Sequence, residues 1–215
     1  MKKVLVSLVA MFCSVSGFAQ YSSGGFSLDE ENMYWGVRFG MTVSSLSGDL
    51  SSNLDLGPKV GMTLAGIVGL RPSDSTPVFI ESGLYYTERG AKKDKIRVGY
   101  NTLEIPLVVK YGFKATDNIA LLPFFGPYFS YAFSGKTKQY DGTSSNIVSV
   151  GSFDEKKAVT GGLKRANMGF KFGVGAEFNK LYLEIAYQVG ITNICKADAY
   201  SSHSNAFVAN FGVNF

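Results

Sequence analysis

The sequence predicts an all-β fold, an eight-stranded antiparallel up-and-down transmembrane β-barrel. Three observations predict it. Alternation of apolar and polar residues with a period of two returns eight times along the 215-residue chain. The bulky apolar residues share one phase of that alternation, while glycine and charge share the other. No segment after residue 20 is long and apolar enough for a spanning helix. A membrane-embedded chain of this composition must then cross with strands closed into a barrel.

The first strand, 34–43, puts Trp35, Val37, Phe39, Met41 and Val43 in one phase and Gly36, Arg38 and Gly40 in the other. The second, 59–70, sets Val60, Met62, Leu64, Val68 and Leu70 against Lys59, Gly61, Thr63 and Gly69. The third, 78–88, sets Val78, Ile80, Leu84 and Tyr86 against Glu81, Gly83 and Thr87. The fourth, 100–113, sets Leu103, Ile105, Leu107, Val109 and Tyr111 against Thr102, Glu104, Lys110 and Gly112. Pro106 lies inside it, removes a ladder donor and marks a candidate bulge.

The fifth strand, 119–133, opposes Leu121, Phe125, Phe129, Tyr131 and Phe133 to Gly126, Tyr128 and Ser130. The sixth, 165–178, opposes Met168, Phe170, Phe172, Val174 and Phe178 to Asn167, Gly169, Lys171, Gly173, Gly175 and Glu177. The seventh, 181–194, opposes Leu181, Leu183, Ile185, Tyr187, Val189 and Ile191 to Tyr182, Glu184, Gln188 and Gly190. The eighth, 205–215, opposes Phe207, Phe211, Val213 and Phe215 to Asn210, Gly212 and Asn214.

Volume decides which phase points outward. An eight-stranded barrel has an interior barely wide enough for its own side chains. About five large apolar side chains per strand would not fit there, whereas the glycine-rich phase does. The bulky phase therefore faces lipid, the reverse of a soluble ligand-binding barrel. The connections agree. Short ones (71–77, 114–118, 179–180) alternate with long ones (44–58, 89–99, 134–164, 195–204), as periplasmic turns alternate with extracellular loops. Trp35, Tyr86, Tyr111 and Phe178 stand near strand ends, where interfacial aromatic girdles form.

Ahead of the barrel, Lys2 and Lys3, the apolar run 4–12 and Gly17-Phe18-Ala19 read as a signal peptide over residues 1–19, cleaved before Gln20. Residues 20–33 form a polar N-terminal segment and 34–215 the barrel domain. The expected location is the outer membrane of a Gram-negative cell. The net charge of +4 falls to +2 once Lys2 and Lys3 are removed, and it reads as spread along the chain with no block of Lys and Arg. Nucleic acid is therefore not an expected partner. Cys195 is then the sole mature cysteine and cannot close an internal disulfide.

Several stretches carry a family resemblance: Glu81-Ser-Gly-Leu-Tyr-Tyr, Leu103-Glu-Ile-Pro-Leu-Val-Val-Lys110, Gly126-Pro-Tyr128, Gly173-Val-Gly-Ala-Glu-Phe178, Leu183-Glu-Ile-Ala-Tyr187 and Gly190-Ile-Thr-Asn-Ile194. From residue 34 onward the chain resembles the PorT-like family of small outer-membrane barrels of the Bacteroides group. The resemblance implies the small OmpA/OmpX-like architecture and an outer-membrane location. It implies little about activity, beyond the secretion role of a few members. Phe215 looks like the terminal signal read by barrel-assembly machinery.

The candidate site is a lumen charge network of Arg38, Lys59, Lys110 and Lys171 against Glu81, Glu104, Glu177 and Glu184. Glu81 and Lys110 lie at similar distances from one short turn, on adjacent strands. Arg38 and Glu184 lie at comparable depth. A structural plug is expected rather than an ion path, because the bore is narrow and buried charges need partners. Glu177 and Glu184 could suggest acid–base chemistry, but no third group or cleft accompanies them.

His203, in Ser201-Ser-His-Ser-Asn205, is expected in an exposed loop at the outer rim. His203 and Ser204 are adjacent, so a strand would point them apart. One histidine and one mature cysteine do not make a structural zinc site. No cofactor, metal or catalytic residue is expected. The expected partners are outer-membrane lipids, the assembly machinery and a possible extracellular ligand on loop 134–164, around a monomer. That loop carries Lys136, Lys138, Lys156 and Lys157 with Asp141, Asp154 and Glu155, and Ile147-Val-Ser-Val150 could extend a hairpin.

Overall fold

The strands continue past the point where their apolar pattern stops. The computed structural model describes residues 33–49, 56–73, 76–93, 96–116, 119–140, 147–154, 162–196 and 201–215. The signal peptide, its cleavage site and residues 20–32 lie outside the described residues. In chain order the strands are β1 (Met33–Gly48), β2 (Gly57–Leu70), β3 (Val78–Lys93), β4 (Ile96–Tyr111), β5 (Phe113–Thr116), β6 (Ile119–Tyr140), β7 (Ile147–Gly151), β8 (Ala166–Phe178), β9 (Leu181–Gly190) and β10 (Ser202–Asn214).

Eight staves close the barrel. Each neighbour pair is antiparallel in the order β4-β3-β2-β1-β10-β9-β8-β6, and β4 pairs β6 to complete the ring. The short β5 continues the β4 stave beyond Gly112 and stays on β6. On the outer side β7 is an arm laid on the far end of β6. One ladder circuit runs Met33, Leu70, Ile80, Val109, Phe125, Phe172, Tyr187, Phe207 and back to β1 at Val43. The return is displaced by ten residues, so the shear is ten for eight strands. That combination tilts the strands by about 40°. Every residue of the circuit faces outward and every one is apolar or aromatic, so the lipid-facing band is continuous around the wall.

The alternation divides cleanly. Phe39, Leu64, Leu107, Phe125 and Leu183 are exposed, while Arg38, Thr63, Val108, Phe124 and Tyr182 between them are buried. Trp35 stacks on Phe215 at 4.6 Å and Tyr111 lies 4.6 Å from Phe113 at the end of the short turns. Tyr86 stands 6.1 Å from Phe133 at the outer end. Phe215 is tied to the first strand by reciprocal backbone bonds with Trp35, which close the β1–β10 seam.

Several strand ends differ from the sequence expectation. β1 runs to Gly48, β3 to Lys93 and β6 to Tyr140, while β4 begins at Ile96 and β10 at Ser202. Above the apolar band the outward positions become Ser45, Ser47, Glu88, Arg97, Lys136, Asn205 and His203, so hydrophobicity ends although the ladder goes on. His203 is therefore not in a loop: it lies in β10 opposite Ser47. At the other extreme β9 stops at Gly190, and Ile194 turns inward beyond it.

Pro106 keeps its place in β4 without a bulge. It pairs with Tyr128, and its carbonyl accepts the Ser82 hydroxyl at 2.7 Å. The register shift in that stave falls instead at Asn101/Thr102. The 179–180 turn joins β8 to β9 through two residues, and Asn179 takes φ = 54°, a left-handed conformation that asparagine tolerates.

Candidate functional site: the filled lumen and the outer rim

The lumen is packed in three layers. In the lowest, Glu81 of β3 accepts Lys110 Nζ of β4 at 2.7 Å and the Tyr34 hydroxyl at 2.7 Å. Arg38 of β1 adds a second cation, its Nη2 3.6 Å from the same oxygen. Lys110 also donates to the Tyr182 hydroxyl at 2.7 Å. Glu184 of β9 accepts Lys171 Nζ at 2.7 Å, Asn210 Nδ2 at 3.1 Å and the Tyr182 hydroxyl at 3.4 Å. Glu177 accepts Asn214 Nδ2 at 3.0 Å. Arg38 chooses Glu81 over Glu184 and lays its guanidinium 4.0 Å from the centre of the Tyr182 ring.

The glycine-rich phase makes room for these rings. A β-carbon on Gly69 would stand 2.1 Å from the Tyr34 ring, and one on Gly175 would stand 2.3 Å from the Tyr182 hydroxyl. Each tyrosine lies flat on a glycine of the neighbouring strand. In this way large rings fit a bore that their volume alone would overfill.

The middle layer is centred on Arg89. Its Nε donates to Glu104 Oε1 at 2.6 Å, and its Nη2 donates to Gln188 Oε1. Gln188 Nε2 returns to Glu104 Oε2 at 3.1 Å, and the Thr102 hydroxyl donates to Glu104 Oε1 at 2.9 Å. Tyr100 and Ser204 share a hydrogen bond of 2.8 Å beside them. Arg89 is missing from the network expected from sequence, because the apolar alternation ends the third strand at residue 88. It follows Tyr85 and Thr87 in the inward phase, and carrying that phase two residues further finds it.

Lys59 leaves the network that sequence alternation assigns it to. The β2–β3 register shifts between Pro58 and Thr63, opposite Gly90, whose φ is 149°. Such a bulge re-aims the side chain beside it. Lys59 Cε and Nζ lie 3.6 and 3.9 Å from where a β-carbon on Gly99 would stand, in the outward phase of β4. Its charged neighbours are Glu88 and Arg97. The lumen set is therefore Arg38, Arg89, Lys110 and Lys171 with Glu81, Glu104, Glu177 and Glu184.

An apolar layer closes the outer mouth. Leu46, Ala91, Val98, Tyr100, Ala132, Leu163 and Ile194 pack together, with Phe153 against them. Leu46, Ala91, Val98, Tyr100 and Ala132 come from the strands, and Lys164 N to Ile194 O and Lys196 N to Gly162 O join the two loops that add Leu163 and Ile194. Cys195 is buried at this junction. The void lined by Arg89, Tyr100, Ser130, Leu163, Asn167 and Ser204 measures about 10 Å³, the space of one water.

At the rim, residues 136–140 of β6 pair with β7 to form the hairpin arm. Asp141, Glu155, Lys156 and Lys157 lie outside the described residues. Ser201 donates its hydroxyl to Asp49 at 3.2 Å, and Ser204 points inward while His203 points out, so neither of these two serines pairs with the imidazole. Among the described residues no group of three His, Cys, Asp or Glu side chains could hold a metal.

The outer face carries a feature that the sequence expectation lacks. Cations are concentrated, not spread. Residues 92–97 read Lys-Lys-Asp-Lys-Ile-Arg, and the hairpin folds Lys92 directly opposite Arg97, which is in turn directly opposite Lys138 of β6. The signal is local density within six residues, which an average over the whole chain dilutes.

A family model described as an outer membrane protein beta-barrel domain matches residues 18–196 of the chain. The chain is similar to the attachment invasion locus protein Ail of Yersinia pestis, at 12% identity over 86% of this chain and 100% of that one, with a TM-score of 0.44. It is similar to Neisserial surface protein A at 17% identity over 86% and 98%, with a TM-score of 0.44. Against a major outer membrane protein of Thermus thermophilus the identity is 13% over 86% and 100%, with a TM-score of 0.47. No curated protein matches the chain.

Proposed function

The chain belongs to the outer membrane protein β-barrel domain family, and from that premise we propose that it is a closed, non-catalytic barrel with an envelope structural or surface-recognition role. Its extracellular loops carry that role. The filled lumen supports this reading. Arg38, Arg89, Lys110 and Lys171 each face a carboxylate, and the apolar layer around Leu163 and Ile194 covers them on the outer side. A charge committed to a partner in a closely packed bore offers no hydration path to an ion. The PorT-like resemblance fits the same reading. So do export by the 1–19 signal peptide, cleavage before Gln20, assembly through Phe215 and a monomeric state.

The test is conductance of the purified protein in planar bilayers. No channel steps are expected at either polarity. Steps that change in size or ion selectivity with Glu104→Gln would replace this reading with a transport one. Deletion in the native cell is expected to leave the secreted proteins unchanged, and a secretion defect would favour an accessory role in export.

A further inference from the structure

We propose that the outward cation row Lys92, Arg97 and Lys138 binds the phosphate groups of the outer-leaflet glycolipid, lipopolysaccharide. The row crosses three adjacent strands. Lys92 pairs with Arg97 across β3–β4 and Arg97 with Lys138 across β4–β6, so all three side chains stand on one face. Each is exposed, whereas Ala91, Val98 and Thr137, next to them in the opposite phase, are buried inside the barrel. Lys136, opposite Gly99, and Lys59, lying over Gly99, extend the patch toward the apolar band. The described carboxylates beside it are Glu88 on the β3 side and Asp154 on the β7 side.

Like charges directly opposite on a sheet destabilise it. A protein that builds such a row where no anion reaches gains nothing to offset that cost. Here the row stands directly above a continuous lipid-facing band, on the side of the long loops. Above Phe133, which faces outward on β6, Lys136 and Lys138 follow within five residues. At about 2.5 Å of height per residue for strands tilted by about 40°, the patch spans roughly the first 12 Å above the hydrocarbon. That is where phosphates attached to the acyl-bearing sugars and the inner saccharide would stand. The opposite rim has Ser45, Ser47, Asn205 and His203 at the outward positions, so the recognition is one-sided.

This inference rests on the outer-membrane placement and not on the closed lumen, so failure of one leaves the other standing. The test uses the folded full-length barrel in detergent, with its heat-dependent gel shift as the control for folding. The probes are purified lipid A with its phosphates and the same lipid after phosphatase treatment. The wild type is expected to bind phosphorylated lipid A more tightly, with affinity falling as salt rises. Lys92→Gln/Arg97→Gln/Lys138→Gln is expected to weaken binding by about tenfold or more, from a contribution of a few-fold per cation at a lipid surface. A periplasmic control, Lys114→Gln/Lys180→Gln, is expected to leave it unchanged.

Three results would overturn the proposal: a folded triple variant that binds as the wild type does, equal binding of the phosphatase-treated lipid, or saturable binding of inorganic phosphate that competes lipid A away. The last would make the ligand a soluble anion and not a lipid.

Discussion

The lumen and the outer rim treat charge in opposite ways. Inside, four cations meet three carboxylates, Glu81, Glu104 and Glu184, within a wall of tyrosines, and Glu81 alone takes Lys110, Arg38 and the Tyr34 hydroxyl. Outside, Lys92, Arg97 and Lys138 stand in line with no acid among them. Burial explains the contrast. A charge taken out of water costs several kcal/mol unless a partner replaces the hydration, whereas an exposed one keeps its water and can wait for an anion. The strands are the same in both regions, so the difference is set by the face on which each side chain falls.

The largest effect should come from breaking the inside. Glu81→Ala leaves Lys110 and Arg38 buried without their carboxylate and is expected to cost about 3–5 kcal/mol. Urea unfolding of the barrel in lipid vesicles, followed by tryptophan fluorescence of Trp35, would measure it. A loss below about 1 kcal/mol would mean that water reaches the layer.

Next is the space that the rings occupy. Gly175→Val drives a side chain into Tyr182 and should destabilise by about 1–3 kcal/mol. Pairing it with Tyr182→Ala, which empties the collision site, should lose less than the two single changes added together. Additive losses in that double-mutant cycle would place the strain elsewhere.

The middle layer sharpens the rule. Glu104→Leu alone leaves Arg89 unpaired and should cost about 3–5 kcal/mol, while Arg89→Met/Glu104→Leu should fall near the wild type. If the double variant is as unstable as the single one, then Gln188 and Thr102 carry the layer and the ion pair does not. The smallest effect belongs to the rim. Arg97→Glu should stabilise the isolated barrel by up to about 1 kcal/mol at low salt, because it turns two repulsive cross-strand pairs into attractive ones. In high salt the gain should vanish.

Much of the molecule can be read from its residues. The outward set from Phe39 to Phe215 needs only the period-two alternation and the volume limit of an eight-stranded bore. The Glu81–Lys110 neighbourhood follows from counting back to one short turn. Legibility ends where the outward residues become polar. There the pattern leaves Arg89 in a loop and takes His203 out of β10. It also places Lys59 in the lumen, although a bulge opposite Gly90 turns it outward.

Determined by sequence alone are the strand number, the lipid-facing phase and, Arg89 and Lys59 apart, the residues with a charge to bury, because a two-residue period is a local property of the chain. Decided only in the tertiary structure are the shear of ten, the choice of Glu81 over Glu184 by Arg38, the apolar cover drawn from four strands and two separate loops, and the row Lys92–Arg97–Lys138. Each of these depends on register between strands distant in sequence. Register is fixed by closing the ring as a whole, since a one-residue slip anywhere would turn an entire stave inside out.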